Sequence, residues 1–191
     1  MKKLFTLFVI IFFTNSSGSL AQDYAKKGAL EIGGNVFFTM TTTVSNGESA
    51  ENSTITFGAE PYIGYFITNG FEIGLLPTFI NSSYDEDSET VLGIFLAPAY
   101  VFDLKSKVFP FIEARVGYNS VTFDDGNNSS TSSGISFGGR AGVKVVLGKN
   151  ALLNLAASYM MITTNPEDWE GDRCGQDIIA IGAGFTIFLG K

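Results

Sequence analysis

Seven charged residues stand inside segments that otherwise alternate large apolar and small residues: Glu31, Glu60, Glu72, Glu113, Arg115, Arg140 and Lys144. Such groups can do two kinds of work. They can neutralise one another in a space closed to water, where an unpaired charge is costly. Alternatively they can line an ion path and gate it by exchanging partners, with Arg115 and Arg140 moving between glutamates. Four acids against three bases is near balance and suits the closed network. Catalysis is the weaker reading. The chain has no histidine, so the commonest general base and metal ligand is missing. Its one cysteine, Cys174, has no histidine to activate it and no partner for a disulfide within the chain. We expect no enzyme activity, no metal site and no cofactor.

A second group of acids lies between these segments. Asp85, Glu86, Asp87 and Glu89 cluster, Asp124 and Asp125 follow, and Glu167, Asp168, Glu170 and Asp172 surround Trp169 beside Arg173. Hard oxygen donors suit calcium or magnesium, but the spacing fits no EF-hand loop. A solvated surface that resists aggregation is the favoured reading. Trp169 is the best single contact candidate, because exposed Trp is favoured at binding hot spots. Asp85, Asp87 and Glu89 join it as candidates for meeting an extracellular ligand.

The elements that must carry these residues are strands. Gly (22) and Phe (18) are abundant in the 191 residues, and both are poor helix formers. From Gly28 onward the chain divides into eight segments, at about 28–43, 53–68, 70–82, 90–104, 107–123, 134–148, 151–164 and 177–190. In the last, Ile179, Ile181, Ala183, Phe185, Ile187 and Leu189 share one face, and Ala180, Gly182, Gly184 and Thr186 the other. In the fifth, Ile112, Ala114, Val116 and Tyr118 alternate with Glu113, Arg115, Gly117 and Asn119. The same two-residue period assigns every mid-strand charge to the glycine-rich face.

Connections alternate short and long. Thr68-Asn69-Gly70, Asp103 to Lys107 and Gly148-Lys149-Asn150 are short, and Asn-Gly is a hairpin signal. Val44 to Asn52, Ser83 to Glu89, Asp124 to Ser133 and Asn165 to Gln176 are longer and polar. This is the layout of a membrane barrel, whose apolar face meets lipid and whose polar face lines the lumen. The segments are also long: about 9–11 tilted residues cross the hydrocarbon, whereas ordinary strands average about 5–6. Phe71, Phe79, Tyr65, Tyr100, Phe102, Tyr118 and Tyr159 fall near strand ends, where aromatic girdles would sit. The expected fold is an all-β, eight-stranded antiparallel up-and-down transmembrane β-barrel.

The beginning of the chain reads as a secretory signal. Lys2 and Lys3 precede an apolar run from Leu4 to Phe13, and Ser19-Leu20-Ala21 has the form of a cleavage site. We therefore divide the chain into a signal peptide, residues 1–21, and a barrel domain, residues 22–191. Cleavage removes two lysines and no acid, which leaves 10 basic against 19 acidic residues. That balance opposes nucleic-acid binding, which needs a basic patch.

On this topology and on Gly-aromatic strands such as Gly182-Ala183-Gly184-Phe185-Thr186-Ile187-Phe188, the chain from about Gly28 to Lys191 resembles the small outer-membrane barrels. These are the OmpX type, the OmpA membrane domain and the porin-like "outer membrane protein β-barrel domain" group. The resemblance implies the outer membrane of a Gram-negative bacterium, with outer-membrane lipid and the insertion machinery as partners. Such barrels usually finish on an aromatic residue that the machinery reads. Here Leu189-Gly190-Lys191 follows Phe188, so the resemblance implies that the signal is shifted or weakened, or that the lineage uses a different ending. The leading expectation is a non-enzymatic barrel with a structural, adhesion or surface-interaction role and a largely plugged lumen. The alternatives are a narrow porin or channel for small solutes or ions and, third, a soluble lipocalin-like binding barrel.

Overall fold

The computed structural model describes residues 24–45, 48–84, 87–164 and 174–190. The expected signal peptide, residues 1–21, lies outside the described residues, as do Asp85 and Trp169. Eight strands follow in chain order: β1 Leu30–Ser45, β2 Glu48–Phe66, β3 Phe71–Tyr84, β4 Asp87–Val101, β5 Val108–Asp124, β6 Ser129–Val146, β7 Ala151–Thr164 and β8 Cys174–Leu189. Each pairs antiparallel with the next, and β8 returns to β1 to close the barrel.

The alternation read from the sequence sets the wall. Ile94, Leu96, Ile112, Val116, Ile135, Phe137, Ile179, Ile181 and Phe185 point outward and are exposed, while Glu31, Glu72, Glu113, Arg115, Arg140 and Lys144 are buried. Tyr65, Tyr100 and Phe102 form an outer aromatic belt near the end that holds both termini. Phe57, Phe79, Tyr118 and Tyr159 form another toward the far end. Tyr100 and Phe102 meet edge to face at 4.9 Å, a geometry that aromatic pairs prefer.

Prolines mark where ladders lapse. The β2–β3 pairing stops after Ala59↔Phe79 and resumes at Ile63↔Leu75 in the same register. That register places Pro61 opposite Pro77, and neither has an N–H to donate. Pro98 interrupts the β4–β5 ladder in the same way, between Leu96↔Val116 and Ala99↔Glu113.

Two expectations need correction. The first concerns the long connections. β1 and β2 pair as far as Ser45↔Glu48, β3 and β4 as far as Tyr84↔Asp87, and β5 and β6 as far as Asp124↔Ser129. Three of the four expected loops are therefore mostly strand, and Asp87 and Glu89 are wall residues of β4 rather than loop residues. Ser and Thr can tie a hairpin as readily as they populate a loop: Thr122 and Thr131 hydrogen-bond across it at 2.9 Å, as do Thr56 and Ser82 at 3.0 Å.

The second correction concerns the inner face. It carries large apolar side chains as well as glycine and charge, among them Tyr62, Phe66, Leu76, Phe95, Phe109, Phe111, Leu152 and Phe188, all buried. An eight-stranded interior is filled by side chains, and the inner glycines are what make room for them. A Cβ at Gly74 would strike the Tyr62 ring, and one at Gly93 would lie 2.7 Å from the Phe95 ring.

Candidate functional site: the layered barrel interior

At the end that holds the termini, ten residues form one apolar cluster: Tyr24, Ala25, Ala29, Phe66, Val101, Phe109, Phe111, Val146, Leu152 and Phe188. Tyr24 is its centre. The ring is fully buried and meets Phe66 at 5.5 Å, Phe109 at 4.9 Å and Phe188 at 5.2 Å. Tyr24 belongs to no strand. It precedes a turn in which Ala25 takes φ 58° and Gly28 φ 90°, left-handed values that fold the segment back into the mouth.

The segment is fastened to the neighbouring turns. Gly70 N–H donates to Ala25 O at 2.8 Å, and Gly28 N–H to Phe66 O at 2.8 Å. Lys27 N–H donates to Asn69 Oδ1 at 2.9 Å, and Lys26 Nζ reaches Asp103 Oδ2 at 3.0 Å. The Lys105 backbone N–H, with Lys26 nearby, holds the Asp103 carboxyl below the usual range. Burial, then the charges of Glu31 and Glu72, push the Tyr24 phenol well up, so it serves as a donor. No sequence period marks this plug, because residues 24–28 are irregular.

Directly above the aromatic layer, Glu31 accepts on Oε2 from Tyr24 OH at 2.8 Å and from Lys144 Nζ at 2.7 Å. Lys144 also donates to Glu72 Oε2 at 3.4 Å. Its ammonium lies 5.3 to 5.7 Å from the rings of Phe111, Tyr24 and Tyr62, near enough for cation–π attraction. Among the described residues Glu31 Oε1 has no hydrogen-bond partner. This layer therefore holds two carboxylates against one ammonium.

The next layer is charge-balanced. Glu113 accepts on Oε1 from Arg115 Nε at 2.8 Å and on Oε2 from Arg140 Nη2 at 2.8 Å. Arg115 Nη1 reaches across to Glu60 Oε1 at 3.2 Å, and Asn35 Nδ2 donates to Glu60 Oε2 at 3.2 Å. The Arg140 guanidinium stacks over Phe111 at 5.2 Å and Tyr62 at 5.9 Å. β1, β2, β5 and β6 each supply a member, so the layer spans the lumen. Asn119 and Ser136 are hydrogen-bonded above it.

All seven charges singled out from the sequence thus meet in two adjacent layers. The arrangement suits ion pairing rather than acid–base chemistry. Every basic group is committed to a carboxylate, and among the described residues no group of three or more metal-ligating side chains occurs. Of the contact candidates at the far end, Asp87 and Glu89 lie two residues apart on β4, and Asp85 and Trp169 lie outside the described residues. Asp87 pairs with Tyr84 and Glu89 with Ser82 along β3–β4.

The model of the Opacity family porin proteins matches residues 17–170. Among solved structures, neisserial surface protein A aligns with TM-score 0.64 at 22% identity, over 84% of this chain and 99% of that one. The outer membrane protein OprG of Pseudomonas aeruginosa aligns with TM-score 0.52 at 17% identity, over 87% and 98%. The N-terminal barrel domain of OprF from the same organism gives 0.51 at 16% identity, over 85% and 98%. At these identities the likeness is one of fold. No curated protein matches the sequence.

Proposed function

The chain belongs to the Opacity family of porin proteins and is a Gram-negative outer-membrane barrel; on that premise we propose that its lumen is sealed to ions and that it acts, without catalysis, through the hairpins it presents outside the cell. Termini and short turns then face the periplasm, and the long hairpins face outward. The observation that carries the sealed lumen is the unbroken stack across the periplasmic half. The Tyr24 cluster is followed by the Lys144 layer and then by the Glu113 layer. A solvated ion would have to displace an aromatic plug and break ion pairs whose members are almost fully buried, where rupture costs about 3–5 kcal/mol per pair.

The absence of histidine and the engagement of every inner base support a role other than catalysis. The hairpins carry the polar and acidic residues, and a structural or adhesive role at the cell surface follows from their position. A narrow channel is the second reading, favoured by the porin name of the family. Planar-bilayer recording decides between them. The sealed barrel gives no steady conductance, and alanine at Arg140 does not abolish what was never present. Reproducible single-channel steps from the unaltered protein, lost in Arg140→Ala or Glu113→Ala, would establish the channel instead.

A further inference from the structure

Charge is sorted along the barrel axis. Among the described residues every lysine and arginine lies either in the two ion layers or at the end that holds the termini. Arg115, Arg140 and Lys144 make up the first set. Lys26, Lys27, Lys105, Lys107 and Lys149 make up the second, and Asp103 is the one described acid beside them. The far hairpins are the reverse. Asp87, Glu89, Asp124 and Asp125 stand there with no described base.

The hydrogen bonds of the turns bring these lysines onto one rim. Lys27 sits over the β2–β3 turn through its N–H bond to Asn69 Oδ1. Lys26 crosses to Asp103. Lys105 stands beside that pair, its left-handed φ of 54° held by its N–H bond to Asp103 Oδ1 at 2.9 Å. Lys107 O accepts from Val146 N–H at 2.8 Å, which sets Lys107 next to the β6–β7 turn that carries Lys149. Of the five, Lys26 alone is ion-paired among the described residues. The same turns present apolar side chains to the outside: Ile67 at 39% exposure, Leu104 at 62% and Leu147 at 52%. The belt of Tyr65, Tyr100 and Phe102 adjoins them. Lys105 is three residues from Phe102, at most about 11 Å of chain.

We propose that this rim is a collar for anionic phospholipid, its lysine ammoniums taking the phosphates of headgroups in the inner leaflet of the outer membrane. The aromatic belt marks the level where hydrocarbon gives way to headgroups. Lysine stems lie along apolar surface and hold the ammonium at that level, and Ile67, Leu104 and Leu147 extend the surface that favours acyl chain. The charges run round the rim rather than converging on one point, which fits a field of headgroups better than a single soluble anion. An anionic leaflet attracts lysines that lie within a Debye length of it, about 8 Å at physiological salt. The acidic far hairpins offer no such attraction, so the preference for anionic lipid belongs to one end and gives the barrel a polarity across the membrane. This goes beyond the sealed-lumen reading and rests on it only for the orientation of the termini.

The test is tryptophan quenching in vesicles. Phe102→Trp and, separately, Tyr118→Trp are placed in a Trp169→Phe background, which leaves one tryptophan in the chain. Each protein is refolded in vesicles of phosphatidylcholine and phosphatidylglycerol, with one lipid or the other brominated on its acyl chains as the quencher. Phe102→Trp should report phosphatidylglycerol enriched about fivefold over the bulk, the factor that one lysine near an anionic surface supplies. Tyr118→Trp, in the far belt, should report no enrichment. Changing Lys27, Lys105, Lys107 and Lys149 together to Gln should remove the preference, and changing them to Arg should keep it. Salt at about 1 M, where the Debye length is about 3 Å, should remove it from the unaltered lysines, a reading that does not depend on the folding of the glutamine variant. Equal quenching at both reporters, or a preference that survives either change, overturns the collar. Orientation is read separately. In a Cys174→Ser background, Lys149→Cys should react with a membrane-impermeant maleimide only after the outer membrane is permeabilised. Reaction in intact cells would overturn the orientation and the choice of leaflet, while the quenching still decides whether the collar binds lipid.

Discussion

Glu113→Gln should destabilise the barrel by about 3 kcal/mol. Glutamine keeps the shape of the side chain and removes its charge. Glu113 is the carboxylate shared by Arg115 and Arg140, each at 2.8 Å. Arg115 retains Glu60 at 3.2 Å, so the stranded charge is Arg140, of which only 8% is exposed. Removing one member of a buried pair costs about 3–5 kcal/mol. Stacking on Phe111 and Tyr62 offsets about 1 kcal/mol of that. At 1.4 kcal/mol per decade, about 3 kcal/mol is roughly a hundredfold loss in the folding constant. The assay is urea titration of the refolded protein in lipid vesicles, with boiled and unboiled gel mobility reporting the folded fraction. Adding Arg140→Met removes the stranded charge and should recover most of the loss. A single variant that costs under about 1 kcal/mol, or a double variant no more stable than the single, would mean that the layer is hydrated and that the ion pairing does not seal the lumen.

Tyr24→Phe removes the hydroxyl bond to Glu31 and should cost about 1.5–3 kcal/mol. Tyr24→Ala also forfeits three ring contacts and should cost about 3–5 kcal/mol; equal urea midpoints for the two would show that the plug does not depend on the ring. Leu96, outward and four residues from Tyr100 of the periplasmic belt, lies at mid-membrane height, so Leu96→Arg should cost about 2–4 kcal/mol in vesicles. Normal insertion of that variant would invert the assignment of faces. Asp103 has a lowered folded pKa, so its stabilising contribution is present above the ordinary value of about 3.9 and is lost as pH falls through the lowered one. Protection of the Gly70 amide, which donates to Ala25 O, should accordingly drop only below about pH 4. Asp103→Asn should remove that pH dependence in hydrogen exchange followed by NMR.

Much of this was legible in the sequence because a strand in a membrane wall has a period of two and only two environments. Ile179, Ile181 and Phe185, or Glu113 with Arg115, declare their faces by phase alone, and the pairing of charges inside follows from the cost of leaving them bare. The inner aromatics were legible only indirectly. Val108-Phe109-Pro110-Phe111-Ile112 is apolar at every position and shows no alternation of its own; only the phase of Glu113 and Arg115, carried back along the strand, turns Phe109 and Phe111 inward. Tyr24 lies in an irregular segment with no period, and only docking against Phe66, Phe109 and Phe188 reveals it. Hairpin lengths escaped because Ser and Thr serve loop and ladder alike. The sequence by itself determined the faces, the strand number and the charge balance, all of which are local properties of the chain. Tertiary structure alone decided which inward groups touch and what closes the mouth, because both depend on residues far apart in the chain meeting at one height.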